Sequence, residues 1–381
     1  DGTETGSTSG SQGAFDLRLS QMDELRDAIY ARMVKKVGSR TYWDQWAKDI
    51  AVIAQNHIMR ITALVDDQGS AASKHFEVFL DALRRNLNES ITRDGAIEML
   101  AQHMITKPVF DALFEDYAFT EHNPVSRVMD QMVDSLTAMN VGAEAESLES
   151  FYESVRLRAA GIDNAEGKQK IITELYESFF TNAFPRAADA MGVVYTPMEI
   201  VDFILRSVDD VLKQEFGRAL SDEGVHVLDP FTGTGTFIVR LLQSGLINPA
   251  DLARKYASEL HANEILLLAY YIAAINIETT FHDLQAQTHG VEPAAEDYEP
   301  FDGIVLTDTF QLTEDGDLQD ETVFPTNNTR AKAQKKLDIR VIVGNPPYSV
   351  GQTSGNDDNA NVRYPALDTR VRDTFAARTD A

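Results

Sequence analysis

The sequence predicts two architectures in series, an all-α N-terminal half and an α/β half built on a parallel sheet. Three observations carry this reading. Apolar residues recur at three- and four-residue spacing from Phe15 to about Asp189, the period of helices with one buried face. After residue 190 the pattern changes to short apolar runs alternating with helix-length segments. The first of those runs ends in Asp229-Pro230-Phe231-Thr232-Gly233-Thr234-Gly235, an acidic residue followed by glycines that let backbone approach a ligand.

In the helical half the periodic residues are Leu17, Leu19, Met22, Leu25, Ile29 and Met33, then Trp43, Trp46, Ile50, Ile53 and Ile58, then Phe76, Phe79, Leu80 and Leu83. Breaks fall at Gly38, at Asp66-Asp67-Gln68-Gly69, at Asn123-Pro124 and between Gly161 and Gly167. Residues 1–14 contain a Gly/Ser/Thr run that reads as linker, 15–188 as one helical domain, and 189–381 as the α/β domain. His57, His75, His103 and His122 are scattered without metal-ligand spacing, so they read as surface or core histidines and no metal site is predicted.

The α/β half gives four candidate strands. Val225–Leu228 precedes the glycine-rich turn and a helix over Phe237–Leu242. Tyr256–His261 precedes a helix over Glu264–Ile277, and Gly303–Leu306 and Ile339–Val343 follow. Ligands of such sheets sit at the C-terminal ends of the strands, near the point where strand order reverses.

Composition narrows the function. No cysteine is present, which excludes disulfides and thiolate metal sites and fits a reducing, cytoplasmic setting. The longest apolar stretch, Ile265–Ile277, is shorter than the roughly 18–20 residues of a membrane span, so no membrane partner is expected. Lys and Arg number 34 against 60 Asp and Glu, a net charge of −26, so a surface gripping nucleic-acid phosphates is not supplied by overall charge.

Asn345-Pro346-Pro347-Tyr348 directly follows the last candidate strand. A planar exocyclic amine such as that of adenine is a poor nucleophile because its lone pair is delocalised into the ring. Accepting both of its N–H bonds localises that pair. The Asn345 side-chain oxygen can take one and the Pro346 carbonyl the other, with Pro347 stiffening the turn. Tyr348 offers a face on which an extruded base can stack. These four are the candidate catalytic residues.

Asp229, Pro230, Phe231, Thr232, Gly233 and Gly235 form the candidate cofactor turn. The third glycine of the dinucleotide fingerprint is lacking, which argues against a nicotinamide dehydrogenase. An acidic strand end before Gly-x-Gly suits S-adenosylmethionine, which has a cationic amino group and no pyrophosphate. Glu264 stands where a carboxylate grips ribose hydroxyls, or else is a first-turn Glu favouring a helix dipole. Asp308 would accept a hydrogen bond from the cofactor adenine, or else caps a turn. Upstream lie Tyr195, Thr196 and Pro197. Thr196 with Glu199 reads as a capping box with Pro197 at the first helical position, and the free helix N-terminus is suited to the methionine carboxylate.

The order of these motifs resembles the gamma class of DNA adenine-N6 methyltransferases, from Gly192 to about Phe375. Ile105-Thr106-Lys107-Pro108-Val109-Phe110-Asp111-Ala112-Leu113-Phe114, Asn123-Pro124-Val125-Ser126, His261-Ala262-Asn263-Glu264-Ile265 and Asn345 to Gln352 resemble, more narrowly, Type ISP restriction–modification enzymes. The resemblance implies a helical coupler followed by a Rossmann-like class I S-adenosylmethionine-dependent methyltransferase domain, incomplete at its C-terminus. It implies double-stranded DNA as partner, gripped largely by regions outside this chain, within a larger polypeptide. Alternative readings are methyl transfer to RNA or to protein glutamine, and a coupling scaffold without activity.

Overall fold

The computed structural model describes residues 40–67, 69–113, 119–138, 196–289, 298–314, 322–346 and 364–379. Five helices make up the described helical half: α1 (Arg40–Asp66), α2 (Ala71–Asn86), α3 (Arg93–Leu113), α4 (Phe119–His122) and α5 (Pro124–Ala138). The breaks between them are chemical. Ser70 caps α2 by accepting from the Ser73 amide at 3.0 Å, and Asn123 caps α5 by accepting from Val125 and Ser126, each at 3.0 Å. Of the apolar residues anticipated from spacing, Phe76, Phe79, Leu80 and Leu83 are buried in the core, and Ile53 and Ile58 pack partly buried against it. The predicted periodicity of residues 15–39 and the breaks at Gly38 and Gly161–Gly167 lie outside the described residues.

The α/β half runs α6 (Met198–Phe216), β1 (His226–Asp229), α7 (Thr236–Gln243), β2 (Leu260–Glu264), α8 (Leu267–His289), β3 (Ile304–Leu306), α9 (Pro325–Gln334), β4 (Ile339–Ile342) and α10 (Pro365–Thr374). The four described strands form one parallel sheet in the order β3-β2-β1-β4. Strand order therefore reverses between β1 and β4, and the crevice outside their C-terminal ends is where ligands of this architecture sit. The β1–β4 pairing continues past the strand, with the Val343 amide on the Leu228 carbonyl at 3.0 Å.

One expected element is displaced. Residues 255–259 form a π-type helical turn rather than the start of a strand, and β2 begins at Leu260. The cause is Lys255, whose fully buried ammonium donates to the Asp222 and Val225 carbonyls and pairs with Glu259 at 2.8 Å. Helical spacing brings Lys255 and Glu259 together, and the pair anchors the entry to β1. The following helix begins at Leu267, so Glu264 is the last residue of β2 and not a helical one.

Helix α8 explains how the halves join. It is apolar on all sides, and Leu267 to Ile275 are buried without interruption. Such a helix needs partners all round. Besides β2 and β3 it packs against α3 and α7, so both halves share one hydrophobic core. Hydrogen bonds cross the junction as well. Asn123 donates to the Tyr270 hydroxyl at 3.3 Å, and His103 bridges the Tyr271 hydroxyl and Asp130 at 3.1 and 2.9 Å. His103 is thus a core histidine with both ring nitrogens engaged.

Candidate active site

Asp229 closes β1 and is completely buried. Its Oδ1 accepts from the Phe231 amide at 3.2 Å, whereas Oδ2 is buried with no hydrogen-bond partner among the described residues. Burial, reinforced by the nearby Glu264, pushes its pKa up to about 7 against the pull of the Phe231 amide. A buried carboxylate oxygen without a donor is costly, and this one lies at the strand-order reversal.

The turn after Asp229 is pinned from several sides. Thr232 donates its hydroxyl to the Asp229 carbonyl at 3.0 Å and its amide to the Asn263 carbonyl at 2.9 Å. Thr309 donates to the Pro230 carbonyl at 2.7 Å, and Asn276 to the Thr234 carbonyl at 3.0 Å. Gly235 stands at φ 88°, and a Cβ there would lie 3.2 Å from the α8 backbone at Ala273. Conformation and close helix approach both require glycine at this position.

Glu264 closes β2 beside this turn. Its Oε2 accepts from the Gly233 amide at 2.7 Å, and Oε1 from the Ile265 and Leu266 amides at 2.9 and 2.8 Å. Burial pushes its pKa up to about 7 although all three amides favour the charged form. The side chain thus caps the approach to α8 and holds the glycine turn, with one acceptor position left on Oε2.

Asp308, two residues beyond β3, is more fully engaged. Its Oδ1 accepts from Phe310 and Gln311 amides at 2.9 and 3.4 Å, and Oδ2 from Asn88 Nδ2 at 2.9 Å and the Tyr364 hydroxyl at 2.6 Å. Phe231, Phe310 and Tyr364 form a row of rings, with successive centroids 5.2 and 5.3 Å apart.

Asn345 reaches the same crevice from β4. The preceding Gly344 passes directly over Asp229, where a Cβ would fall 2.5 Å from Oδ1. The Asn345 side chain is half-buried and donates Nδ2 to the Thr196 hydroxyl at 3.1 Å. This bond turns Oδ1 the other way, and no described residue donates to it. Pro346 is exposed beside it. Pro347, Tyr348 and Tyr195 lie outside the described residues.

The expected capping box at Thr196 is not formed. Helix α6 starts at Met198, Pro197 is its N-cap residue, and no side chain caps it. The Ile200 and Val201 amides turn back to the Pro197 carbonyl at 3.0 and 3.1 Å. Thr196 is instead committed to Asn345, so the spacing from Thr196 to Glu199 is without consequence for the helix. The structure therefore brings together Thr196, Asp229, Pro230, Phe231, Thr232, Gly233, Gly235, Glu264, Asp308, Asn345 and Pro346. Sequence reading missed Gly344, Asn263, Asn88 and Tyr364. Gly344 had a signal, a glycine immediately before Asn345; Asn88, 220 positions from its partner, had none.

Comparisons with known proteins show the family. Residues 42–167 match the model of the Type ISP restriction-modification enzyme coupler domain, and residues 167–375 match that of the N-6 DNA methylase family. Among solved structures, the chain is similar to a nuclease-deletion mutant of the Type ISP restriction-modification enzyme LlaGI in complex with a DNA substrate mimic. The identity is 47% and the TM-score 0.81, over 94% of this chain and 29% of that one. It is similar to the ATP-dependent Type ISP enzyme LlaBIII bound to DNA, at 47% identity and TM-score 0.82, over 95% of this chain and 24% of that one. It is also similar to DrdV in a DNA complex, at 33% identity and TM-score 0.73, over 89% of this chain and 32% of that one. The chain thus spans between about a quarter and a third of the length of these structures. No curated protein matches it.

Proposed function

The chain belongs to the N-6 DNA methylase family, joined to a Type ISP coupler domain, and we propose that its crevice transfers a methyl group from S-adenosylmethionine to the N6 amine of an adenine in DNA. The observation that carries the reading is the orientation of Asn345. Its amide nitrogen is held by Thr196, which leaves its oxygen, to which no described residue donates, available as an acceptor beside the β1–β4 crevice.

The residues present fit the cofactor. The partnerless Oδ2 of Asp229 is matched by a cationic amino group, and Gly344 keeps the space over that carboxylate clear. Glu264 retains an acceptor for a ribose hydroxyl, and the Phe231–Phe310 row offers an apolar face for a base. The uncapped N-terminus of α6 suits the methionine carboxylate. Bound there, S-adenosylmethionine supplies a methyl group activated by its sulfonium. The chain's part is positioning. Asn345 Oδ1 accepts one N–H of the adenine amine and the Pro346 carbonyl the other, which draws the nitrogen lone pair out of conjugation and aims it. Tyr348, outside the described residues, is assigned from the sequence to stack on the base. The phosphate-binding surface belongs to other parts of the parent polypeptide, in keeping with the charge of −26 here.

The test is methyl transfer by the full-length protein to duplex DNA, with RNA and protein as parallel substrates. Asn345→Ala is expected to remove transfer to DNA while leaving S-adenosylmethionine affinity nearly unchanged. Unchanged turnover, or transfer to RNA or protein in preference to DNA, overturns the assignment.

A further inference from the structure

Asp308 has no vacant acceptor. A carboxylate offers about four lone-pair positions, and the Phe310 and Gln311 amides, Asn88 and Tyr364 take them all. The two donors on Oδ2 are not equivalent. Asn88 is buried, and its own oxygen accepts from the Ser90 amide at 3.0 Å, which fixes Nδ2 toward Asp308. Tyr364 is half-buried at the end of the ring row and is the N-cap residue of α10. That helix is held separately, by Glu314 accepting from the Ala366 and Leu367 amides at 2.9 and 3.0 Å. Tyr364 can therefore give up Asp308 without loss of the α10 anchor.

We propose that Tyr364 is a positioning residue for the cofactor adenine, its hydroxyl holding the acceptor on Asp308 that the adenine amine takes over on binding, while Asn88 of the coupler keeps the carboxylate aligned. This rests on the assignment of Asp308 to the adenine end of the cofactor site. Burial and the Asp308 carboxylate both raise the Tyr364 pKa, so the hydroxyl remains a donor throughout the neutral range. Asp308 makes the site selective, and Tyr364 competes for it. A purine with an amine at position 6 gives Asp308 a hydrogen bond in exchange for the one Tyr364 surrenders, whereas one with a carbonyl there offers no donor and leaves Tyr364 in place. The arrangement also places a coupler residue, Asn88, on the group that reads the cofactor.

The experiment measures calorimetric affinities of S-adenosylhomocysteine and S-inosylhomocysteine, which differ at position 6 of the purine, for the full-length protein and for Tyr364→Phe. Removing the competing hydroxyl is expected to raise the preference for the adenosyl ligand by about three- to tenfold, the worth of one net hydrogen bond. The phenylalanine ring keeps the contact with Phe310, and an unchanged near-ultraviolet circular dichroism spectrum checks that it does. A preference that stays the same, or a loss of affinity for both ligands alike, overturns the role of Tyr364 while leaving the cofactor site standing. Failure of the unmodified protein to bind either ligand overturns the cofactor site, and this proposal with it.

Discussion

Asp229 holds one oxygen on the Phe231 amide and the other on nothing, with its pKa pushed up to about 7 by burial. The sign of the resulting pH dependence follows. A carboxyl whose folded pKa is raised lends stability below its unfolded value near 4 and withdraws it as pH climbs through about 7. The ligand-free chain should therefore lose stability over that window. A cationic ligand reverses the preference by favouring the charged form, so binding should release protons near neutrality and affinity should rise from pH 6 to 8. Calorimetry in two buffers of different ionisation enthalpy measures the release, which Asp229→Asn is expected to reduce along with affinity. PH-independent binding without proton release would show that Asp229 does not face the cationic group. Gly344→Ala tests the same spot sterically, because its Cβ would meet Oδ1 at 2.5 Å. The expected result is a loss of cofactor affinity of about tenfold or more, roughly 1.4 kcal/mol, with the helical content of the chain intact. The acidic strand end and its glycines were legible in sequence because each is demanded locally, by a turn or by an approaching ligand. The true partner of Thr196 was not, because a hydroxyl three positions before a Glu satisfies the capping-box pattern whether or not it turns toward an asparagine 149 positions away.

Strands were legible in kind but shifted in register. Residues 256–261 are apolar enough for a strand, yet the Lys255–Glu259 pair bends the chain into a helical turn first, and charge pairing at that spacing outweighs apolar content. The sheet edge shows a second device that periodicity does not reveal. The described sheet ends at β3, whose outer backbone would otherwise lack a partner. The Asn327 side chain in α9 supplies one, accepting from the Leu306 amide at 2.9 Å and donating to the Leu306 carbonyl at 3.0 Å. An amide side chain here does the work of a neighbouring strand and covers an edge that invites foreign pairing. Asn327→Ala leaves both buried groups unsatisfied and should destabilise the fold by about 1–3 kcal/mol. Urea denaturation measures it, and a change below about 0.5 kcal/mol would mean that the amide contributes nothing to the sheet.

At the scale of the whole chain, a helical half and an α/β half were legible in kind, but the boundary between them lies outside the described residues and nothing in either half announced how they dock. The contacts that join them pair residues far apart in sequence: Asn123 with Tyr270, His103 with Tyr271, Asn88 with Asp308 and Phe79 with Phe324. Helix α8 belongs to the sheet and to the helical half at once, and one hydrophobic core runs through both. Two halves that share a core unfold together, whereas two that merely touch do not. The chain carries its own probe for the difference. Both tryptophans, Trp43 and Trp46, lie in α1, in the helical half. A ligand bound between β1 and β4 at about one hundred times its Kd stabilises the folded state by about 2.7 kcal/mol. If unfolding is cooperative, tryptophan fluorescence must register that full amount as a higher urea midpoint with S-adenosylhomocysteine present. Fluorescence that unfolds at the same urea concentration with and without ligand, while circular dichroism of the whole chain shifts, would establish independent halves. It would then leave Asn88 no route by which the coupler and the cofactor pocket sense each other.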